Sequence, residues 1–158
     1  MHQIRNSGWF LRRQRGVSLI EVMIAVFVTA IGVLGAAAMQ LNALKYTDSS
    51  RTTSQASFIV YDIIDRIRAN AEPTVLDGYD LASISTSPDC TGICAVDLQD
   101  FIANVQTLPD GSGSINVSGT TVTVGVGWSE GRAGGKDDSG NARQGSFSVT
   151  TDVSVATP

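Results

Sequence analysis

Apolar residues fill a long segment near the N-terminus. Between Val17 and Met39 there are 23 residues, of which only Ser18, Glu21 and Thr29 are polar. A helix of that length spans about 35 Å at 1.5 Å per residue, and the hydrocarbon layer of a membrane is about 30 Å thick. The pattern therefore predicts a helix that is long enough to cross a membrane.

The helical pattern continues beyond this segment. Residues 47–54 are polar, and the helical pattern is weak there. Residues 56–67 again place apolar side chains at three- and four-residue steps. Pro73 ends the pattern. We therefore predict one helix over residues 17–71. Its second half is amphipathic and needs a sheet to cover its apolar face.

After an acidic loop, the chain carries one short helical pattern and three alternating ones. Residues 98–108 place apolar side chains at helical steps, which predicts a second helix. Alternation of apolar and polar side chains predicts strands over residues 115–117, 122–128 and 147–155, the first two joined by a turn at residues 118–119. The expected fold class is α+β, a long N-terminal helix packed on a small antiparallel sheet.

A glycine-rich segment separates the last two predicted strands. The 18 residues between Trp128 and Phe147 include five glycines and no large apolar side chain. Such a segment cannot bury enough surface to order itself, so we expect a mobile, exposed loop. The acids beginning at Asp137 resemble a calcium loop only superficially, since Ala142 and Ser148 occupy the positions of the required glycine and bidentate acid. We expect no metal here.

Charge divides the chain into a basic head and an acidic body. Residues 1–16 carry four arginines and no acid, whereas the remainder has 7 basic and 15 acidic residues. By the positive-inside rule, the N-terminus stays in the cytoplasm and the body lies outside it. The acidic body has no sustained basic surface to neutralise phosphates, so we expect no direct binding of nucleic acid.

Few residues could support catalysis. The only histidine is His2, in the head, and the only cysteines are Cys90 and Cys94. This excludes a Ser-His-Asp or Cys-His site in the body, and most zinc sites. Asp97 and Asp100 form a conceivable carboxylate pair, but such acids more often serve turns and solvation. Outside the cytoplasm, a disulfide between Cys90 and Cys94 is the expected state. We expect no enzymatic activity and no cofactor.

Three interpretations of the N-terminal segment remain open on composition. In a secretory signal peptide, the small residues 36–38 would provide the cleavage site. In a plain membrane anchor nothing is cut, and Glu21 is a boundary residue. In the third, the chain is cut between Gly16 and Val17, and the new cationic amine lies one turn from Glu21. Glu21 then has a partner and lies in the first helical turn, where the helix dipole favours an acid.

Residues 15–22, RGVSLIEV, resemble the processing site of type IV prepilins. In that family a membrane peptidase cuts after the glycine, methylates the new N-terminus and leaves a glutamate at the fifth mature position. The resemblance implies cleavage after Gly16, N-methylation of Val17 and a role for Glu21 in subunit assembly. The chain departs from the family at Val17, where phenylalanine is more common.

Longer segments resemble PilV-type minor pilins of type IV pili. Residues 54–70, SQASFIVYDIIDRIRAN, are similar to the second helical segment of that family, and residues 108–111 and 122–128 follow its pattern. The resemblance implies a minor pilin that takes part in pilus assembly and priming. A type II secretion pseudopilin shares these features, and a membrane-anchored periplasmic binding module is a remoter alternative. Many pilins close a larger C-terminal loop with their cysteines, whereas Cys90 and Cys94 lie mid-chain.

The resemblance also implies a domain order, a location and partners. The chain would consist of a cleaved leader over residues 1–16, a transmembrane and filament-core helix over 17–39, and a periplasmic globular domain over 40–158. It would cross the inner membrane once, with its N-terminus in the cytoplasm, and later enter the pilus at the cell surface. The implied partners are prepilin peptidase, other minor and major pilins, the inner-membrane assembly platform and a pilus-tip adhesin.

Overall fold

The computed structural model describes residues 16–131, 134 and 136–154. Its elements in chain order are α1 (Leu19–Ala69), a short 3₁₀ helix (Leu76–Tyr79), α2 (Ile93–Val105), β1 (Ser112–Ser118), β2 (Thr121–Ser129) and β3 (Gln144–Asp152). The chain divides into two compact units, Met1–Leu41 and Asn42–Pro158, and the boundary falls within α1. The predicted α+β class is confirmed.

α1 is a single helix of 51 residues, close to the predicted range. It begins at Leu19, and the carbonyl of Ser18 accepts the N–H groups of Glu21 at 3.0 Å and Val22 at 3.2 Å. The polar stretch 47–54 stays helical, and five of its six hydroxyls donate to carbonyls four residues earlier, as Thr47 does to Ala43 at 2.9 Å. Residues that weaken the apolar pattern therefore do not interrupt the helix.

The core of the second unit lies between α1, α2 and the sheet. The buried face of α1 has the predicted helical spacing, and alternate residues of β2 face it, which is the period of two expected for a strand. The two helices and the central strand supply most of the buried apolar side chains: Ala56, Ile59, Val60, Ile63, Ile64, Ile67, Leu98, Phe101, Val105, Val122, Val124, Val126 and Trp128.

The sheet has the strand order β1-β2-β3, with antiparallel neighbours. The turn between the first two strands comprises Gly119 and Thr120, one residue later than predicted, and Gly119 has a φ of 62° that suits glycine. The last predicted strand is confirmed as β3. Its predicted final residue, Val155, lies outside the described residues.

The segment between β2 and β3 is more regular than predicted. Both strands extend into it, Glu130 N–H donates to the Arg143 carbonyl at 2.7 Å, and Lys136 forms a bridge with Ala142. The carboxylate of Asp137 accepts the N–H groups of residues 139 and 141. The prediction that this segment cannot order itself is therefore wrong for its described residues, because local polar hydrogen bonds shape the turn in place of apolar burial.

Gly145 lies directly against the indole of buried Trp128. A Cβ added at Gly145 would lie well inside van der Waals contact with three indole atoms. We expect Gly145→Ala to lower the free energy of unfolding by about 1–3 kcal/mol, because the overpacked ring must shift. Denaturant unfolding measures the loss. Gly125→Ala is the matched control, since nothing lies closer than 3.8 Å to its added carbon, and equal losses in both variants would contradict the steric explanation.

Candidate functional site

The predicted processing residues lie at the beginning of α1. Gly16 and Val17 precede the helix, and Glu21 lies in its first turn. All three are exposed, and among the described residues no atom outside the chain neighbours lies within 4 Å of a Cβ added at Gly16. The Gly16–Val17 peptide bond therefore precedes the helix, and the Glu21 carboxylate is at the end of the helix that favours negative charge.

The first half of α1 exposes its apolar side chains on all sides. Its large apolar residues from Leu19 to Leu34 are between 50% (Val22) and 78% (Leu19) exposed. By length and composition, α1 is the one helix of the described chain that is able to cross a membrane. Since exposing apolar surface to water costs roughly 25 cal/mol per Å², this segment requires lipid or other helices around it.

A polar cluster lies at the end of α1, where the predicted i,i+4 pair of Asp62 and Arg66 is joined by two acids of α2 that the sequence did not place there. Arg66 bonds to three carboxylates: its Nε lies 3.0 Å from Asp62, and its Nη1 lies 2.9 Å from Asp100 and 3.2 Å from Asp97. Hydrogen bonds to Asp100 and Asp97 raise the pKa of Arg66. Asp97 is the buried member of the cluster, with a side chain that is 8% exposed.

Asp97 joins three parts of the fold. Besides Arg66, its carboxylate accepts the hydroxyl of Tyr79 at 2.8 Å and the side-chain amide of Asn70 at 3.2 Å. These donors come from α1, from the residue after α1 and from the 3₁₀ helix, whereas Asp97 belongs to α2. The description of Asp97 as a solvated turn residue is therefore wrong. Its position on the apolar face of α2, three residues after buried Cys94, is the sequence feature that could have identified it.

Tyr79 gives this cluster a pH dependence. Burial, together with the hydrogen bond to Asp97, raises the pKa of Tyr79 to about 12. Its ordinary pKa is about 10, so the unfolded chain loses this proton before the folded chain does. We expect the free energy of unfolding to fall as the pH rises from about 10 to about 12. Unfolding measured across that range checks this, and a Tyr79→Phe variant whose stability falls equally would contradict it.

Cys90 and Cys94 are joined by a disulfide. Cys94 is buried in the first turn of α2, and Cys90 packs against the same core. Gly78 lies against the pair, since a Cβ added there would be 3.1 Å from the Cβ of Cys90. The bond therefore joins the end of the preceding loop to the first turn of α2, and Gly78 of the 3₁₀ helix packs against it.

The carboxylates of the described residues do not form a metal site. No group of three or more His, Cys, Asp or Glu side chains in that part of the chain could hold a metal ion. The carboxylate of Asp137 is occupied by backbone donors within its own turn, at 2.8 and 2.9 Å.

Comparison with known proteins assigns the N-terminal segment. Residues 11–37 match the family model of the prokaryotic N-terminal methylation motif. The chain matches no curated protein, and it matches no solved structure. The matched residues include Gly16, Val17 and Glu21 and much of the exposed apolar helix. Such a motif suggests a structural protein, and it indicates a type IV pilin-like prepilin, the precursor of a pilin or pseudopilin.

Proposed function

We propose that the chain is a minor pilin of a type IV pilus, cut by prepilin peptidase after Gly16 and methylated on Val17. One observation carries the proposal: the methylation motif coincides with the beginning of an apolar helix that no other described residue covers. A cut at this bond removes the basic leader over residues 1–16 and leaves the helix with a free amine. In the membrane, lipid covers this helix, and in a filament, neighbouring helices cover it.

Glu21 is the residue that we assign to assembly. A carboxylate in an apolar segment is costly unless it has a partner. Cleavage creates a cationic amine on Val17, and the amine of the same or a neighbouring subunit then neutralises Glu21. This pairing gives a lateral register between helices that apolar packing alone does not specify.

The exposed apolar residues of the second unit support contacts through the helices. Among the described residues, its exposed large apolar side chains all lie on α1 and α2, and none lies on a strand. They are Leu44, Tyr46, Phe58, Tyr61, Ile93 and Val96. We therefore propose that neighbouring pilins contact the exposed faces of the helices and that the outer face of the sheet lies in solvent.

The same proposal gives each segment a compartment. The helix over residues 17–39 anchors the chain in the inner membrane, and residues 40–158 form the periplasmic domain that later reaches the pilus surface. The basic leader holds the N-terminus on the cytoplasmic side. The assembly platform, other minor and major pilins and a tip adhesin are then the partners. A disulfide at Cys90 and Cys94 fits a domain outside the cytoplasm.

We expect Glu21→Ala to remove the chain from pili while leaving it in the membrane. The substitution leaves the cationic amine of Val17 without its partner. An unpaired charge in an apolar helix costs about 2.5–3.5 kcal/mol, which corresponds to roughly a hundredfold loss of incorporation. Immunoblots of sheared pili and membranes measure the ratio. Glu72→Ala, an exposed acid beyond α1, is the matched control, and unchanged incorporation of Glu21→Ala would refute the assembly role.

A type II secretion pseudopilin is the alternative, because the methylation motif fits both machines. The two differ in where the processed chain is found. A minor pilin co-purifies with sheared pili, and its deletion reduces piliation. A pseudopilin is absent from pili, and its deletion blocks the export of folded proteins.

A further inference from the structure

One edge of the sheet is covered by the chain itself. In β1, Ile115 N–H donates to the Leu81 carbonyl and Leu81 N–H donates to the Ile115 carbonyl, each at 2.8 Å. Ile84 N–H donates to the Gly113 carbonyl at 3.1 Å. The loop before α2 therefore closes this edge.

The opposite edge, formed by β3, is left open by the described residues. Val153 N–H donates to the Thr120 carbonyl, and the Arg143 carbonyl accepts from Glu130, so the odd-numbered residues of β3 bond to β2. The even-numbered residues between them direct their N–H and C=O groups away from the sheet. Within the described chain, no backbone hydrogen bond reaches these groups at residues 146, 148 and 150.

β3 carries none of the usual features that block an open edge. It has nine residues in continuous register with β2, without a bulge. It contains no proline and no lysine, and its one ionisable residue, Asp152, lies at its end. Natural proteins usually protect such an edge with charges, proline or bulges, because it is a template for another strand.

The two sides of β3 define the chemistry of an incoming strand. Phe147 and Val149 are half-buried on the core side, where the ring of Tyr61 lies 6.1 Å from that of Phe147. On the other side, Ser148 and its even-numbered neighbours expose small hydroxyls. A complementary strand therefore alternates apolar and small polar side chains and carries no charge.

A second copy of this chain fits the edge poorly. Its β1 edge is closed, so it offers only its own β3. The α1 side chains of Tyr61 and Arg68 contact Phe147 and Thr151 in that order, so α1 and β3 run in the same direction. Antiparallel pairing of two β3 strands therefore makes the α1 helices antiparallel, whereas subunits anchored in one membrane share one orientation. Parallel pairing of the two open edges requires one sheet to be turned over. The apolar face of one copy then lies on the same side as the hydroxyl face of the other, so the apolar side chains of the two strands do not meet.

We propose that β3 is a strand-addition site for an uncharged, extended segment of a different polypeptide. The main-chain groups of residues 146, 148 and 150 supply the hydrogen bonds, and the half-buried side chains beside Tyr61 select an apolar residue. The exclusion of a second copy rests on the proposed membrane-anchored function, whereas the open edge does not.

A peptide probe tests the edge without a filament. A fluorescent peptide of sequence QGSFSVTT with blocked ends, which is uncharged and free of the membrane constraint, is titrated into the full chain in detergent micelles. We expect saturable binding and slower hydrogen exchange at the amides of Ser146, Ser148 and Thr150. Absence of binding, or protection at other amides only, overturns the strand-addition site.

Two variants at one position make the probe specific. Ser148→Pro removes an outward N–H and keeps the hydrogen bonds of the odd-numbered residues, so the peptide should bind about tenfold more weakly. Ser148→Lys adds a charge at the edge and should also weaken binding. Thr123→Lys, which adds the same charge on the same sheet face of the central strand, is the control and should bind normally. Equal binding by all three contradicts the proposal, and circular dichroism verifies that each is folded.

The occupant is tested in cells with a photo-crosslinking amino acid at Ser148, and with the same probe at Thr123 as control. We expect adducts at Ser148 that mass spectrometry maps to an extended, uncharged segment of another polypeptide. Adducts to a second copy alone overturn the assigned occupant, and no adducts in cells overturn the strand-addition role. Failure of the proposed function shows separately, as an unprocessed N-terminus, and leaves the peptide result unchanged.

Discussion

Gly16→Leu is expected to leave the chain uncut and to exclude it from pili. The methylation motif matches residues 11–37, and the proposed function places the cut after Gly16 within this motif. A branched side chain at this open position obstructs the peptidase, so the uncut leader keeps its arginines beside the apolar helix. The intact mass of the membrane-bound chain measures the result, which should change from almost complete cleavage to almost none.

Gly8→Leu is the matched control for this experiment, because it alters the same leader at a glycine that the motif does not include. It should be cut as efficiently as the unaltered chain. Normal cleavage of Gly16→Leu would contradict processing after Gly16 and would favour a plain anchor or a signal peptide cut further along.

Asp97→Ala is expected to cause a large loss of stability in the globular unit. It removes the one buried carboxylate of the cluster and leaves the Tyr79 hydroxyl and the Asn70 amide without this acceptor, whereas Arg66 keeps Asp62 and Asp100. Each buried donor that is left unsatisfied costs about 1–3 kcal/mol. Because three parts of the fold meet at this carboxylate, the loss should appear in cooperative denaturant unfolding of the full chain in detergent.

Asp100→Ala provides the comparison. Asp100 also bonds to Arg66, at 2.9 Å, but its side chain is 53% exposed, so its removal should cost less than about 1 kcal/mol. If the two variants lose equal stability, burial of Asp97 is not the cause of its importance.

The helices and strands follow from local patterns, which is why the sequence predicts them well. The apolar spacing of residues 56–67 and the alternation in β2 reflect the periods of a helix and a strand, and the structure has both. The loop after β2 was predicted less well, because the prediction counted apolar side chains and took no account of hydrogen bonds such as those accepted by Asp137. Polar side chains there form the turn.

The Asp97 cluster and the open edge depend on distant contacts. Asp97 meets Arg66 across 31 positions of sequence, and β1 is covered because Leu81 pairs with Ile115. Periodicity describes one segment at a time, so it does not show which segments meet. The methylation motif is the opposite case, since its residues are contiguous and the order of the amino acids alone matches it to a family model.

The N-terminus and intact mass of the chain, taken from membranes and from sheared pili, test the central claim most directly. The account predicts a chain that begins at a methylated Val17 in both fractions. An uncut chain would contradict it and indicate a plain anchor, and a chain beginning at Met39 would indicate a secreted protein without the membrane helix.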